Sequence, residues 1–257
     1  MNDKNVETEL LEKLSARADV ASVTKEEDGL LSVLMKGETE PRIVSTEQIE
    51  QLNRNVALSD SVLEDFVAAV TVPREALEAT PQLGSARPVV RSKSTLDGFE
   101  QLLATEDKPA KLIRYPLVAD IEAAFVFQTP NGMRYATEND LNTLNISKSD
   151  FAEAAMRNFD AMTLKTEWSR SDNVLIAQLD GNYESSLLLI DNLWPEIENA
   201  LGGPIVVGVP ARDSLVAVRA DDTGQVAELR RAMDNGYAYP ISSTLLTRRN
   251  GRWVEFE

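Results

Sequence analysis

The stretch Ile205-Val206-Val207-Gly208-Val209-Pro210-Ala211-Arg212-Asp213-Ser214-Leu215-Val216-Ala217-Val218-Arg219-Ala220 decides the fold class. Two short apolar runs, Ile205–Val209 and Leu215–Ala220, flank a break containing Pro210 and Asp213, which reads as two paired strands around a turn. The same pattern recurs outward from this point. Val20–Lys25 and Leu30–Met35 flank Asp28-Gly29, a strong hairpin signal, and Arg42–Val44 is a candidate third strand. Glu122–Gln128 and Met133–Ala136 flank Thr129-Pro130-Asn131-Gly132. Leu164–Trp168 and Val174–Leu179 flank Ser171-Asp172-Asn173, and Ile241–Thr247 meets Trp253–Phe256 through Asn250-Gly251. Pro88–Arg91 reads as a further short strand.

Helical spacing is found in residues 5–17, where Val6, Leu10, Leu11 and Leu14 share a face. Further helices are expected from Ser45 or Thr46 to Asn53, over Val62–Val70, Leu96–Ala104, Phe151–Phe159 behind Ser147, Tyr183–Ala200 with a kink or restart at Pro195, and Gln225–Met233. Hairpins recur and long strand–helix–strand crossovers do not. The expectation is an α+β fold, with mixed or antiparallel sheets built from hairpins and helices packed on one face. Pro73, Pro81, Gly84 and Pro88 punctuate the chain early. They divide it into an acidic N-terminal αββα module (1–75), a linker (76–88) and a larger α+β domain (89–257).

Among its 257 residues the chain has no cysteine and no histidine. The first absence excludes disulfides, thiol nucleophiles, thiolate zinc sites and iron–sulfur clusters. The second excludes imidazole bases, Ser-His-Asp triads and histidine-ligated metals or haem. Carboxylates, lysine, tyrosine, Ser–Lys pairs and oxygen-ligated metals are the chemistries that survive. No phosphate loop and no Gly-x-Gly-x-x-Gly turn occurs. The net charge is −16, and residues 1–80 hold 17 acids against 8 bases, a net of −9. A field of this sign disfavours nucleic acid and anionic membrane, and favours solubility or a basic partner. No apolar run approaches the roughly 18 residues of a membrane span. The polar start Met1-Asn2-Asp3-Lys4 has no signal core behind it, so a cytoplasmic location is expected.

Against this acidic background Arg87-Pro88-Val89-Val90-Arg91-Ser92-Lys93 stands out. Strand alternation places Arg87, Arg91 and Lys93 on one face, where guanidinium forks with Ser92 suit a carboxylate or phosphate. The competing role for these cations is as partners of internal carboxylates such as Glu122 or Asp120. Arg212 and Asp213, between the two strands of the opening stretch, form a loop-borne polar pair at a cleft or a simple turn. Glu26-Glu27-Asp28 and Asp221-Asp222 lack the spacing of a calcium loop and read as solvated acids. Trp168, Trp194 and Trp253 read as core.

Six segments resemble the YtpQ-like bacterial proteins of unknown function: Pro88–Ser92, Met133-Arg134-Tyr135, Ala154–Asn158, Gly181–Ser186, Val209–Asp213 and Pro240-Ile241-Ser242. Their order and spacing carry the resemblance over residues 87–257. Relatives often have histidine where this chain has Ala211. The resemblance implies a cytoplasmic bacterial accessory protein and brings no activity, substrate or cofactor with it.

The favoured expectation is therefore a non-catalytic binding or interaction protein, with no cofactor, no metal and no catalytic residue, and with neither nucleic acid nor membrane as partner. It takes a small anionic ligand at Arg87, Arg91, Ser92, Lys93, Tyr183, Arg212 and Asp213. One alternative is a carboxylate-based enzyme, with or without Mg²⁺, using Asp213 or Glu184 as base and Tyr183 or Arg212 as support. The other is an acidic adaptor or inhibitor of a basic protein.

Overall fold

The computed structural model describes residues 6–26, 30–45, 63, 66, 67, 70, 71, 80–103, 111–129, 132–234, 237 and 240–257. The chain falls into two compact units, Met1–Ala79 and Thr80–Glu257. The fold is α+β with antiparallel sheets, three of them among the described residues.

In the first unit, α1 (Val6–Ser15) is followed by β1 (Val20–Lys25), β2 (Leu30–Met35) and β3 (Arg42–Ser45). The strands pair in the order β1-β2-β3, with Val23 opposite Val33 and Leu31 opposite Val44. Leu10 and Leu14 of α1 are buried, as are Leu31, Val33 and Val44, so one helix stripe and one sheet face share a core. Arg42 donates to the carbonyl of Val70 and pairs with Glu38. The turn expected at Asp28-Gly29 and the helix expected over 46–53 lie outside the described residues. Leu63, Phe66, Val67 and Val70 of the helix expected over 62–70 are helical.

The second unit opens with a 3-10 turn (Leu83–Ser85) and β4 (Ala86–Ser92), then α2 (Lys93–Leu103), β5 (Arg114–Val118), β6 (Ile121–Thr129) and β7 (Gly132–Tyr135). The strand thus begins inside the segment read as a linker. The two helices α3 (Glu138–Leu144) and α4 (Lys148–Thr163) follow. α3 was not expected from the sequence. A capping box defines it, because Asp140 accepts the Thr137 N–H at 2.7 Å. Ser147 caps α4 by accepting the Asp150 N–H at 3.1 Å. β6 is the centre of this sheet, with β4 on one edge and both β5 and β7 paired to it as well. Ala86, Phe125 and Phe127 alternate with the opposite face and pack on Phe151 and Ala155 of α4.

The rest of the unit comprises β8 (Glu167–Ser171), β9 (Val174–Gln178), 3-10 turns at Glu184–Leu189 and Asp191–Leu193, and α5 (Trp194–Leu201). It continues through β10 (Ile205–Ala211), β11 (Ser214–Arg219), α6 (Thr223–Met233), β12 (Leu246–Arg249) and β13 (Arg252–Glu255). These strands form a six-stranded sheet in the order β13-β12-β10-β11-β9-β8. All seven residues of β10 are buried because both of its faces are covered. Val206 and Gly208 face Leu229 and Met233 of α6, whereas Ile205, Val207 and Val209 join Tyr183, Leu187 and Trp194 in the main core. Asn250 and Gly251 have φ of 53° and 77°, the left-handed pair that a tight two-residue hairpin requires.

Three expectations need correction. The single helix expected over Tyr183–Ala200 is two 3-10 turns followed by α5, because the Glu184 side chain takes the backbone amides that a helix would use. The strand expected from Leu164 begins at Glu167, since α4 runs to Thr163 and leaves Leu164 87% exposed as its cap. The strand expected from Ile241 begins at Leu246, because Ile241 instead donates its N–H to Pro210 and Thr244 donates to the Ser242 hydroxyl.

Candidate functional site

β4 is an edge strand, and an edge strand leaves every second N–H without a ladder partner. The Val90 N–H is taken by the Ser186 hydroxyl at 3.1 Å. That bond brings the 3-10 turn Glu184–Leu189 against β4. The preceding residue of the same turn is fixed too: the Ser185 N–H donates to the Arg212 carbonyl at 3.1 Å. Arg212 sits in the two-residue turn between β10 and β11, where Ala211 pairs with Ser214.

The loop before the turn is shaped by one carboxylate. Glu184 is 3% exposed, and its Oε1 accepts N–H bonds from Leu179, Asp180 and Gly181 at 2.9, 3.1 and 2.8 Å. Its Oε2 accepts the Tyr183 N–H at 3.1 Å. Four backbone donors compensate the buried charge without a cation. Gly181, at φ 82°, makes the tight wrap possible. Both oxygens of Glu184, the residue offered as a base in the enzyme alternative, are engaged by backbone donors.

The wrapped loop fixes Tyr183, which is 1% exposed. Its hydroxyl has no protein partner among the described residues, and neither has the Ser185 hydroxyl. Burial pushes the Tyr183 phenol up to about 12; Asp180 raises it too, and the positive charges of Arg87 and Arg91 oppose the shift. Opposite charges therefore act on a single buried hydroxyl.

Arg91 is 7% exposed, donates Nη1 to its neighbour's carbonyl on Val90 at 2.7 Å, and lies with Nη2 4.0 Å from the Met133 sulfur. Glu122 is its cross-strand neighbour, yet that carboxylate pairs with Arg114 at 3.3 Å. The Asp120 carboxylate accepts the Ser242 hydroxyl at 2.7 Å. No carboxylate among the described residues lies within 4.0 Å of the Arg91 guanidinium, so the role of internal ion-pair partner is not realised there. Arg87, half-buried, donates only to the carbonyls of Gly84 and Ala86, at 2.9 and 2.8 Å.

Of the sequence candidates, Arg87 and Arg91 lie on β4, Tyr183 heads the turn that Ser186 fastens to β4, and Arg212, whose carbonyl accepts the Ser185 N–H, lies in the β10–β11 turn. Three others have different places. Ser92 caps α2, accepting the Thr95 N–H at 3.1 Å and donating to the Thr95 hydroxyl at 2.7 Å. Lys93 belongs to the first turn of α2, not to the strand, so the alternation that would align it with Arg91 stops at Ser92; it pairs with Asp97 at 2.6 Å. Asp213 is exposed in the β10–β11 turn. Asp180, whose charge bears on the Tyr183 phenol, offers only a loop signal in its turn residues Asp180-Gly181-Asn182. Its Oδ1 accepts the Asn182 N–H at 3.0 Å, and burial raises its carboxyl, with Glu184 adding to the rise and Arg212 opposing it.

Elsewhere the acids have ordinary work. Asp222 caps α6 through the Gln225 N–H, and Asp221 pairs with Arg219. No group of three acidic side chains that could hold a metal occurs among the described residues. No described helix is long and apolar enough to cross a membrane. Comparison of the chain with protein-family models, with curated proteins and with solved structures finds no match.

Proposed function

We propose that this protein is a non-catalytic binding protein that takes a small anionic group between Arg87, Arg91 and Tyr183. One observation carries the reading: β4 buries a guanidinium, Arg91, with no described carboxylate within 4.0 Å, and the turn fastened to β4 through Ser186 buries a phenol, Tyr183, without a partner. A buried, unpaired charge costs several kcal/mol, and an unsatisfied buried hydroxyl adds about 1–3 kcal/mol. An incoming carboxylate or phosphate oxygen compensates both at once, with two charge-assisted donors and one neutral donor. Burial grades from the exposed Asp180 through half-buried Arg87 and Arg212 to Arg91 and Tyr183, which gives such a ligand a side from which to enter.

The YtpQ-like kinship belongs to the same proposal. Five of the six segments that bear it are joined by direct contacts, Arg91 to Met133, Val90 to Ser186, Ser185 to Arg212 and Ile241 to Pro210, and Asn158 of the sixth donates to the Ala86 carbonyl at the start of β4. Segments scattered over the chain and gathered around one strand support a shared role for that strand.

The test is calorimetric titration of the full chain with acetate, succinate and inorganic phosphate at low salt. Binding by at least one, weakened tenfold or more in Arg91→Gln and less in Tyr183→Phe, is expected. Arg170→Gln, far out on the exposed strand β8, serves as control. Anion binding that ignores Arg91, or none at all, overturns the proposal.

A further inference from the structure

An exposed edge strand pairs readily with another chain unless something blunts it. Several edges of this protein are blunted. β1 has a bulge between Val20 and Ser22, β5 has Pro116 and a bulge between Pro116 and Val118, and the outer side of β4 is closed by the Ser186 hydroxyl. β8, the last strand of the six-stranded sheet, has neither proline nor bulge. Four of its five residues are exposed, and Trp168 is half-buried against the main core.

The hairpin decides which backbone groups face outward. Ser171 and Val174 flank the two-residue turn Asp172-Asn173, so they exchange hydrogen bonds. The alternation of an antiparallel ladder then commits Ser169 and Glu167 to β9 as well. The N–H and C=O groups of Trp168 and Arg170 therefore point away from β9, and no described residue bonds to them. The Arg170 side chain reaches back to the Asp172 carbonyl at 3.4 Å and leaves its own backbone open.

We infer that β8 pairs antiparallel with β8 of a second copy of this chain, around a two-fold axis through Ser169, joining the two six-stranded sheets edge to edge. The strand is self-complementary in this register. Trp168 stands opposite Arg170 of the second copy and Glu167 opposite its Ser171, so every residue of β8 is paired and no like charges meet. The outward groups of Trp168 and Arg170 exchange hydrogen bonds in both directions, and an indole faces a guanidinium across the strands. Centring on Arg170 would set two guanidinium groups against each other. Centring on Trp168 would need the Thr166 N–H, which donates to the Thr163 carbonyl. The charged residues from 164 to 171 are Lys165, Glu167 and Arg170, a net of +1 in a chain of −16. Local charge therefore does not hold two copies apart at this edge.

Sedimentation equilibrium of the full chain over a range of concentrations tests the pairing, in salt sufficient to screen the net charge. A reversible dimer is expected. Arg170→Pro removes one outward N–H and spares the ladder to β9, so it should weaken the dimer tenfold or more while leaving the melting temperature near that of wild type. An introduced cysteine has no other cysteine in the chain to react with. A non-hydrogen-bonded antiparallel pair sets its Cα atoms about 4.5 Å apart, within disulfide reach. Ser169→Cys should thus oxidise to a covalent dimer at least tenfold faster than Ser171→Cys, whose counterpart lies several residues along the partner strand. A chain that stays monomeric at every concentration, its edge left for an extended segment of another protein, overturns the inference. So does a dimer indifferent to Arg170→Pro, or cross-linking no faster at 169 than at 171. If Arg170→Pro does not fold, the contrast between the two cysteine variants decides alone.

Discussion

The backbone N–H of Val90 donates to the Ser186 hydroxyl at 3.1 Å, across 96 positions of sequence. This bond closes the outer edge of β4 and seats the 3-10 turn that presents Tyr183. Removing the hydroxyl leaves a buried N–H without an acceptor, which costs about 1–3 kcal/mol. Ser186→Ala is therefore expected to lower the urea midpoint with an unchanged m-value. An unaffected midpoint would mean that the edge is closed by something other than Ser186.

Arg91→Met should behave in the opposite way. The substitution keeps the aliphatic stem that packs in the sheet and removes a buried charge that no described carboxylate compensates. Replacing buried charge by apolar volume is often neutral or stabilising by about 1–4 kcal/mol. The unliganded variant should melt at the same temperature as wild type or higher while losing anion binding. A clear drop in melting temperature would identify Arg91 as an internal structural partner.

Glu184→Gln keeps one acceptor oxygen and replaces the other by an amide that cannot accept. At least one of the four loop N–H bonds is lost, for about 1–3 kcal/mol of stability. Because Tyr183 is held by the wrap, its near-ultraviolet circular dichroism should change with it. Unaltered stability and an unaltered tyrosine signal would show that the wrap does not depend on this carboxylate.

The pH dependence of Asp180 has a definite sign. Although the residue as a whole is exposed, its carboxyl is partly desolvated and raised above the usual 3.8, chiefly by that desolvation and then by Glu184, with Arg212 and the Asn182 and Tyr183 N–H groups opposing the rise. The folded state thus holds this proton more firmly than the unfolded chain does. That advantage is complete below 3.8 and is lost as pH rises through the folded value. Asp180→Asn should raise the melting temperature at neutral pH, and the difference from wild type should disappear in strong acid. A variant less stable than wild type at neutral pH would contradict this assignment.

Gly208 is a packing position. A Cβ there would lie 2.7 Å from the Met233 sulfur and 3.0 Å from Leu229 Cδ1. Gly208→Ala should cost about 1–3 kcal/mol through displacement of α6 side chains, read as a lowered denaturation midpoint. A second change, Met233→Ala, should recover part of the loss by making room.

The fold was legible where local signals act alone. Apolar runs around Arg212-Asp213, and the run after Asn250-Gly251, lie within a residue or two of the observed strands, because hairpin turns fix register locally; the run before Asn250-Gly251 does not, since its strand starts only at Leu246. The reading failed where a side chain overrides the backbone's own preference. Glu184 draws in four amides and turns an apparently helical stretch into 3-10 segments; Asp140 organises the short helix α3 through a capping box. The candidate site was half legible for the same reason. Arg87 and Arg91 were visible as cations in an acidic chain, whereas Lys93 and Ser92 were misassigned because the strand becomes a helix between them. Asp180 has no signature in the sequence, since its place depends on a wrap that closes only around the buried Glu184.

That wrap has a kinetic consequence. An amide proton exchanges with solvent only when its acceptor releases it. The amides of Leu179, Asp180, Gly181 and Tyr183 share one carboxylate. In deuterated water they should remain protonated far longer than an irregular loop ordinarily does. They should then be replaced together, because withdrawal of a single side chain frees all four.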